Sequence, residues 1–348
     1  MSDAAAERST PAMSEMVLDV EKLMAEEMSA AGSSTVVMPE QIGNTDLITE
    51  TVNEVVTGGQ NLIENPFIAW LCELLGKIPC EVMDYEFMRL ALLGLLIIAP
   101  MAAVCGTQVV NFNMSFFSDA IGHSAFAGVA TGLVLAISPE YTMPALALCV
   151  GLGIMAVKHR SGLSSDTVIG VIFSAVVAGG LAIVSRYPNA VSDSQMFLYG
   201  DILTISEKDI LLMLGLAVVF ILFQIFSFNK LICIELNPQL AKAHRIKVGV
   251  YQYFFAALLS LVVIFSVKAV GVLLVTAMLI TPAAAARNLA SSYGKMLWLS
   301  VVIGVFSAIT GLFLSAQSWM QTSTGATIVL CSCVIFAISL IFRKKKRA

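Results

Sequence analysis

The stretch NMSFFSDAIGHSAFAGVATG, Asn113 to Gly132, decides the class of this chain. It sets a carboxylate, Asp119, and an imidazole, His123, four residues apart in an otherwise small and apolar run. On an α-helix that spacing puts both on one face, one turn apart, so they can close on a single ion from the same side. Carboxylate plus imidazole suits a borderline divalent cation such as Zn²⁺, Mn²⁺ or Fe²⁺, and ligand type alone does not choose among them. The competing reading makes Asp119 the N-cap of a helix beginning at Ala120 and His123 a packed core residue. An ionisable group in lipid costs roughly 2.5 kcal/mol or more at a helix centre on insertion scales, which favours a site or a pathway. Gly122, Ser124, Ala125, Ala127, Gly128 and Gly132 let neighbouring helices approach closely, and Gly128 with Gly132 forms a GxxxG spacing.

Composition explains why that run must be read in a membrane. Of 348 residues, 58% are hydrophobic and only 13% charged, and the mean hydropathy is +0.87. These values exclude an ordinary soluble domain and predict an all-α polytopic membrane protein. Charge divides the chain: residues 1–86 carry 16 Asp/Glu against 3 Lys/Arg, and residues 87–348 carry 8 against 17. We therefore expect an acidic extension over 1–60, an interfacial amphipathic segment over 61–86 and a transmembrane domain over 87–348. The seven cysteines show no zinc-knuckle or disulfide spacing, and Cys331 and Cys333 stand two apart, which does not face them together on a helix. No feature points to nucleic acid.

Residues 1–59 are polar, lack a charged start followed by an apolar run, and so do not read as a signal peptide. Disorder or weak helix is expected there, with a short amphipathic pattern from Val17 to Met28. Pro66 to Ile78 is apolar but too short for a bilayer core that needs about 20 residues, so it is placed at the interface with Trp70 at headgroup level. Spans are expected near Phe87–Val110, Phe116–Ile137, Met143–Val157, Thr167–Ser185, Asp209–Phe226, Val250–Val267, Val270–Ala286, Met296–Ser315 and Ala326–Phe342. The third and seventh read as broken or partial, so the count is eight or nine. Pro282 should end or kink the seventh span. Asp166 reads as the N-cap of the fourth, and His159 and His244 as solvated loop residues. Lys and Arg near span ends stay cytoplasmic. The tail Arg343 to Arg347 is then inside, as are Arg287 and Lys295, then Lys230, Lys242, Arg245 and Lys247, then Lys158 and Arg160.

Four ordered blocks carry a resemblance. They are FFSDAIGHSAFAGVA around Asp119 and His123, SSDTVIGVIFSAVVAGGLAIVS from Ser164 to Ser185, MFLYGDILTISEKDI from Met196 to Ile210, and VGVLLVTAMLITPAAAARNLA from Val270 to Ala290. Together they are similar to the integral membrane permeases of ABC transporters for zinc, manganese and iron, across essentially the whole membrane domain. The segment NPQLAKAHRIKVG, Asn237 to Gly249, resembles that family's ATPase-coupling segment, with Gln239 in place of the usual acid and Arg245 in place of the usual glycine. Asn111 and Asn113 stand where basic residues are usual, Gln321 and Ser323 replace an Asp and a Pro near the last span, and the long acidic N-terminus is not a standard feature.

The resemblance implies a type II ABC importer-like fold, a multi-pass subunit of the cell inner (plasma) membrane with its C-terminus cytoplasmic. It also implies two permease chains, identical or different, cytoplasmic ABC ATPase subunits and an extracytoplasmic metal-binding protein. Asp119 and His123 would ligate the transported Mn, Zn or Fe, with no cofactor permanently bound. Asn237, Pro238, Leu240, Ala241 and Arg245 would meet the ATPase, and Gly128, Gly132 and Pro282 would serve packing or gating. The chain has no GxxxxGK[ST] loop and no GxSxG or HExxH, so neither an ATP site nor a hydrolase centre is expected within it. Two other readings are a gradient-driven cation carrier or channel in which Asp119 titrates protons, and a vitamin B12 or siderophore permease, which would not need the Asp/His pair. Residues 1–59 are expected to be dispensable for transport itself.

Overall fold

The computed structural model describes residues 65–76, 83, 85–186, 202, 205–317 and 322–342. The acidic extension 1–60, the Val17–Met28 pattern, Gly200–Asp201, Gln321 and the basic tail 343–348 lie outside the described residues. What is described is helical: α1 Pro66–Gly76, α2 Glu86–Asn111, α3 Phe117–Leu135, α4 Pro139–Ser161, α5 Ser165–Arg186, α6 Glu207–Leu236, α7 Pro238–Ala243, α8 Val248–Val270, α9 Val272–Leu289, α10 Tyr293–Ser315 and α11 Thr324–Ile341. Eight of them are long and apolar enough to cross a membrane: α2, α4, α5, α6, α8, α9, α10 and α11. α3 is the ninth long helix and falls outside that set. Its Asp119, His123, serines and glycines dilute the apolar character, and neighbours cover it instead.

α2 is the most enclosed of the eight, with α9 and α10 on one side and α6 on another. α3 lies in a cradle of α4, α5, α8 and α9. Both arrangements depend on missing side chains. A Cβ at Gly106 of α2 would overlap the Leu279 carbonyl oxygen of α9, and one at Gly122 of α3 would sit 2.8 Å from Val272 Cγ1. In lipid, where no hydrophobic gain drives helices together, such close backbone approach is what binds them. The anticipated GxxxG pair packs in this way, since a Cβ at Gly128 would stand 2.8 Å from the Met143 Cα of α4 and one at Gly132 2.5 Å from Thr142 Oγ1.

Four expectations are corrected. The third span is a full 23-residue helix, α4, started by Pro139 at a position where its missing N–H is no loss and closed by Lys158, His159 and Arg160 in the last turn. His159 thus belongs to a helix, where its ring lies 5.3 Å from that of Tyr253. Pro282, where an end or a kink is expected, lies inside α9, which continues to Leu289, and the buried proline ring fits beside Gly304 of α10. α6 runs ten residues past Phe226, so Lys230 is helical rather than a loop residue, and its long stem lets Nζ reach Tyr251 Oη at 2.6 Å. Asp166 is inside the first turn of α5, and the cap belongs to Ser164, whose Oγ accepts from the Thr167 N–H at 3.3 Å.

At the end of the bundle opposite α7, Lys268 near the end of α8 pairs with Glu140 of α4 at 3.1 Å and Asp209 of α6 at 3.0 Å. One ammonium therefore fastens three helix ends.

Candidate metal centre

The path into the site begins at the end of α2. There Phe112 caps the helix, Asn113 takes a left-handed conformation (φ 52°), and the Met114 N–H donates back to the Val109 carbonyl at 3.0 Å. Asn tolerates that conformation better than most residues. The chain therefore turns out of α2 before α3 starts. Phe117, first residue of α3, places its ring against Gly151, at the midpoint of α4. The N-terminus of α3 is consequently set halfway along the bundle rather than at its surface. Interrupted helices with a terminus at membrane mid-depth are the way many transporters build ion sites, because unpaired backbone there must line a cavity or be buried in protein.

Asp119 stands in the first turn of α3. It is not the N-cap: the helix begins at Phe117, the cap position is Phe116, and no side chain caps it. The competing capping role is thereby removed. A carboxylate in the first turn is favoured by the helix macrodipole by about 0.3–1 kcal/mol. Thr276 of α9, whose Oγ1 donates to the Leu273 carbonyl at 3.2 Å, lies near the carboxylate, and His123 is close enough to interact with it electrostatically. The His123 ring meets Phe173 of α5 edge to face, with centroids 5.3 Å apart and planes at 74°. Three helices thus hold the pair. Thr276 and Phe173 were missed in the sequence, because neither has a spacing relation to Asp119 and only the fold brings them there.

Among the described residues, no group of three or more His, Cys, Asp or Glu side chains is placed to hold a metal. Asp119 and His123 could offer two donors from one chain, fewer than the four usual for zinc or the six or so donors of harder divalent ions. The pair can grip an ion from one side and leave the other side open.

The second functional element is α7. Asn237 Oδ1 accepts from the N–H groups of Gln239 at 2.8 Å and Leu240 at 3.2 Å, and Pro238 occupies the first helical position, a start signal complete in two residues. Asn237, Pro238, Leu240 and Arg245 are exposed, Leu240 by 51%. Ala241 is wholly buried against Ile234 and Val248. It anchors the helix from its inner side, unlike the other four residues expected to meet the ATPase. Arg245 closes the segment with φ 58°, a left-handed position that glycine occupies at no steric cost.

The model of the ABC 3 transport family matches residues 84–343. The manganese import system permease protein ScaB of Streptococcus gordonii is 33% identical over 266 residues, covering 76% of this chain and 94% of ScaB. The high-affinity zinc uptake system membrane protein ZnuB of Haemophilus influenzae is 30% identical over 262 residues, covering 75% and 99% respectively. The solved structure of PsaBC from Streptococcus pneumoniae in complex with Fab superposes with a TM-score of 0.64 at 29% identity, over 80% of this chain and 98% of that one. Matching the family model over most of its length and relatives nearly end to end, the multi-pass chain described above belongs to the ABC 3 transport family.

Proposed function

We propose that this chain is the permease subunit of an ATP-driven importer of a divalent transition metal, with Asp119 and His123 as transient ligands of the cargo. The observation that carries the reading is the carboxylate–imidazole pair on a helix that starts halfway along the bundle. Two ligands from one chain call for a second permease copy. Two aspartates and two neutral histidines facing each other would bring four ligands and two negative charges to a doubly charged ion. Four donors suit tetrahedral zinc, and with added water they suit octahedral manganese. Relatives named for manganese and for zinc import bracket the same choice. An extracytoplasmic binding protein delivers the ion, and a cytoplasmic ATPase, docked on the exposed side of α7, supplies the energy that this chain lacks. In this topology α7, the ends of α4 and α9 and the C-terminus face the cytoplasm. α1 rests at the membrane interface, where its exposed Phe67, Trp70 and Leu74 meet lipid. The acidic extension 1–60 is dispensable for transport itself.

Reconstituted vesicles decide between the importer and a gradient-driven carrier. Uptake of Mn²⁺ or Zn²⁺ should require ATP, the ATPase and the binding protein together; uptake that follows an imposed proton gradient without ATP would sink the proposal. Docking is checked separately. A cysteine replacing Leu240 should crosslink to the ATPase, while the same change at Ala241 should not, and labelling of position 240 from outside intact cells would reverse the assigned topology.

A further inference from the structure

The importer reading needs a route from the ATPase-docking helix to the ion site, and one packed residue stands on it. We propose that Phe112, with the Asn111–Glu235 hydrogen bond beside it, is the positioning element that transmits movement of α7 to the ion-binding start of α3. Ala241 is the one buried residue of α7, and the cluster that receives it, Ile234, Ala241 and Val248, is covered by Phe112. Phe112 also packs on the main core and lies 5.7 Å, centroid to centroid, from Phe255 of α8. Together with Cys233, Ile246 and Tyr251 it packs against the cluster that holds the docking helix, and it reaches the interior of the bundle as well.

A short, hydrogen-bonded connection leads from Phe112 to the ion site. Asn113 turns the chain in the left-handed conformation, the Met114 N–H bonds to the Val109 carbonyl at 3.0 Å, and the Phe117 N–H bonds to the Met114 carbonyl at 3.0 Å. Asp119 comes two residues later. A second tie runs parallel: Asn111, the last residue of α2, donates from Nδ2 to Glu235 Oε2 at 3.4 Å, and Glu235 sits in the last turn of α6 immediately ahead of α7. Close-packed interiors do not deform smoothly, so a displacement of Ala241 must either carry Phe112 with it or open the packing. Carrying Phe112 moves the turn that sets where α3 begins. Phe112 acts through Asp119 and His123 and touches no ion itself.

The test is the number of Mn²⁺ ions imported per ATP hydrolysed, in vesicles holding the complete transporter and its binding protein. In Phe112→Ala this ratio should fall about two- to thirty-fold, the range that residues along a coupling route supply. ATP hydrolysis should stay within about twofold of wild type, and Mn²⁺ binding to the purified resting transporter should be retained. Phe112→Leu, which keeps an apolar contact, should recover most of the ratio. Asn111→Ala and Glu235→Ala, which break the second tie without opening the apolar cluster, should lower the ratio in the same direction and carry the test should Phe112→Ala insert poorly. An unchanged ratio in these variants overturns the proposal. So does a parallel loss of hydrolysis and import, which would assign the cluster to assembly alone. Import by wild-type vesicles and its loss in Asp119→Ala test the importer reading by themselves, so the two failures are told apart.

Discussion

Asp119→Ala and His123→Ala permeases are expected to reach the membrane in normal amounts and to import no metal above background. Each substitution removes one of the two ligands that a chain offers, and a symmetric pair of chains loses two of four. Even residues that only orient metal ligands change affinity by about 10- to 100-fold when altered, so loss of a direct ligand should reduce uptake by more than about 100-fold. Stability should move little. Asp119 caps nothing, so the cost of about 1 kcal/mol for a lost N-cap does not arise. Losing its favourable place in the first turn is offset by removing a charge that is expensive in lipid. The measurement is metal uptake normalised to folded permease in the membrane. Normal uptake in both variants would remove the site assignment, and loss of uptake together with loss of folded protein would return the pair to a packing role.

Gly106→Ala is expected to lower the amount and thermal stability of folded permease, and Gly153→Ala to leave both unchanged or raised. Both glycines are helical, and alanine is the better helix former by about 1 kcal/mol at either. They differ in what a Cβ meets. At Gly106 it would overlap the Leu279 carbonyl, forcing α2 away from α9 in the most enclosed part of the bundle, whereas at Gly153 nothing stands within 4 Å. Overpacking of this kind costs typically 1–3 kcal/mol, enough to outweigh the propensity gain. Detergent-solubilised protein followed by size exclusion after heating reads the difference. Equal behaviour of the two variants would mean that α2 and α9 are not held at that distance.

The sequence carried the helices and the placing of Asp119 and His123 one turn apart because both are written in local spacing. Runs of apolar residues located the nine long helices, and a four-residue step located Asp119 and His123 on one face. What it did not carry depends on partners distant along the chain. Pro282 looks like a terminator until Gly304 of another helix is seen to make room for its ring. Ala241 looks like one more small residue of a docking segment until Ile234 and Val248 close over it. Asp119 looks like a cap by residue type until α3 is seen to begin two residues earlier, at Phe117. The mid-bundle position of that beginning is set by Gly151 of α4, which receives the Phe117 ring.

That position also fixes an electrical quantity. If the bundle spans the insulating layer, an ion beside the first turn of α3 has crossed roughly half of it. One elementary charge crossing a whole membrane potential of 100 mV gains or loses about 2.3 kcal/mol. A doubly charged ion crossing half of that drop is therefore shifted by about the same 2.3 kcal/mol, close to fiftyfold in occupancy. With the interior negative, the voltage favours loading from outside and opposes return. Each cargo ion would then reach the ATP-driven step already held by the cell's own polarisation.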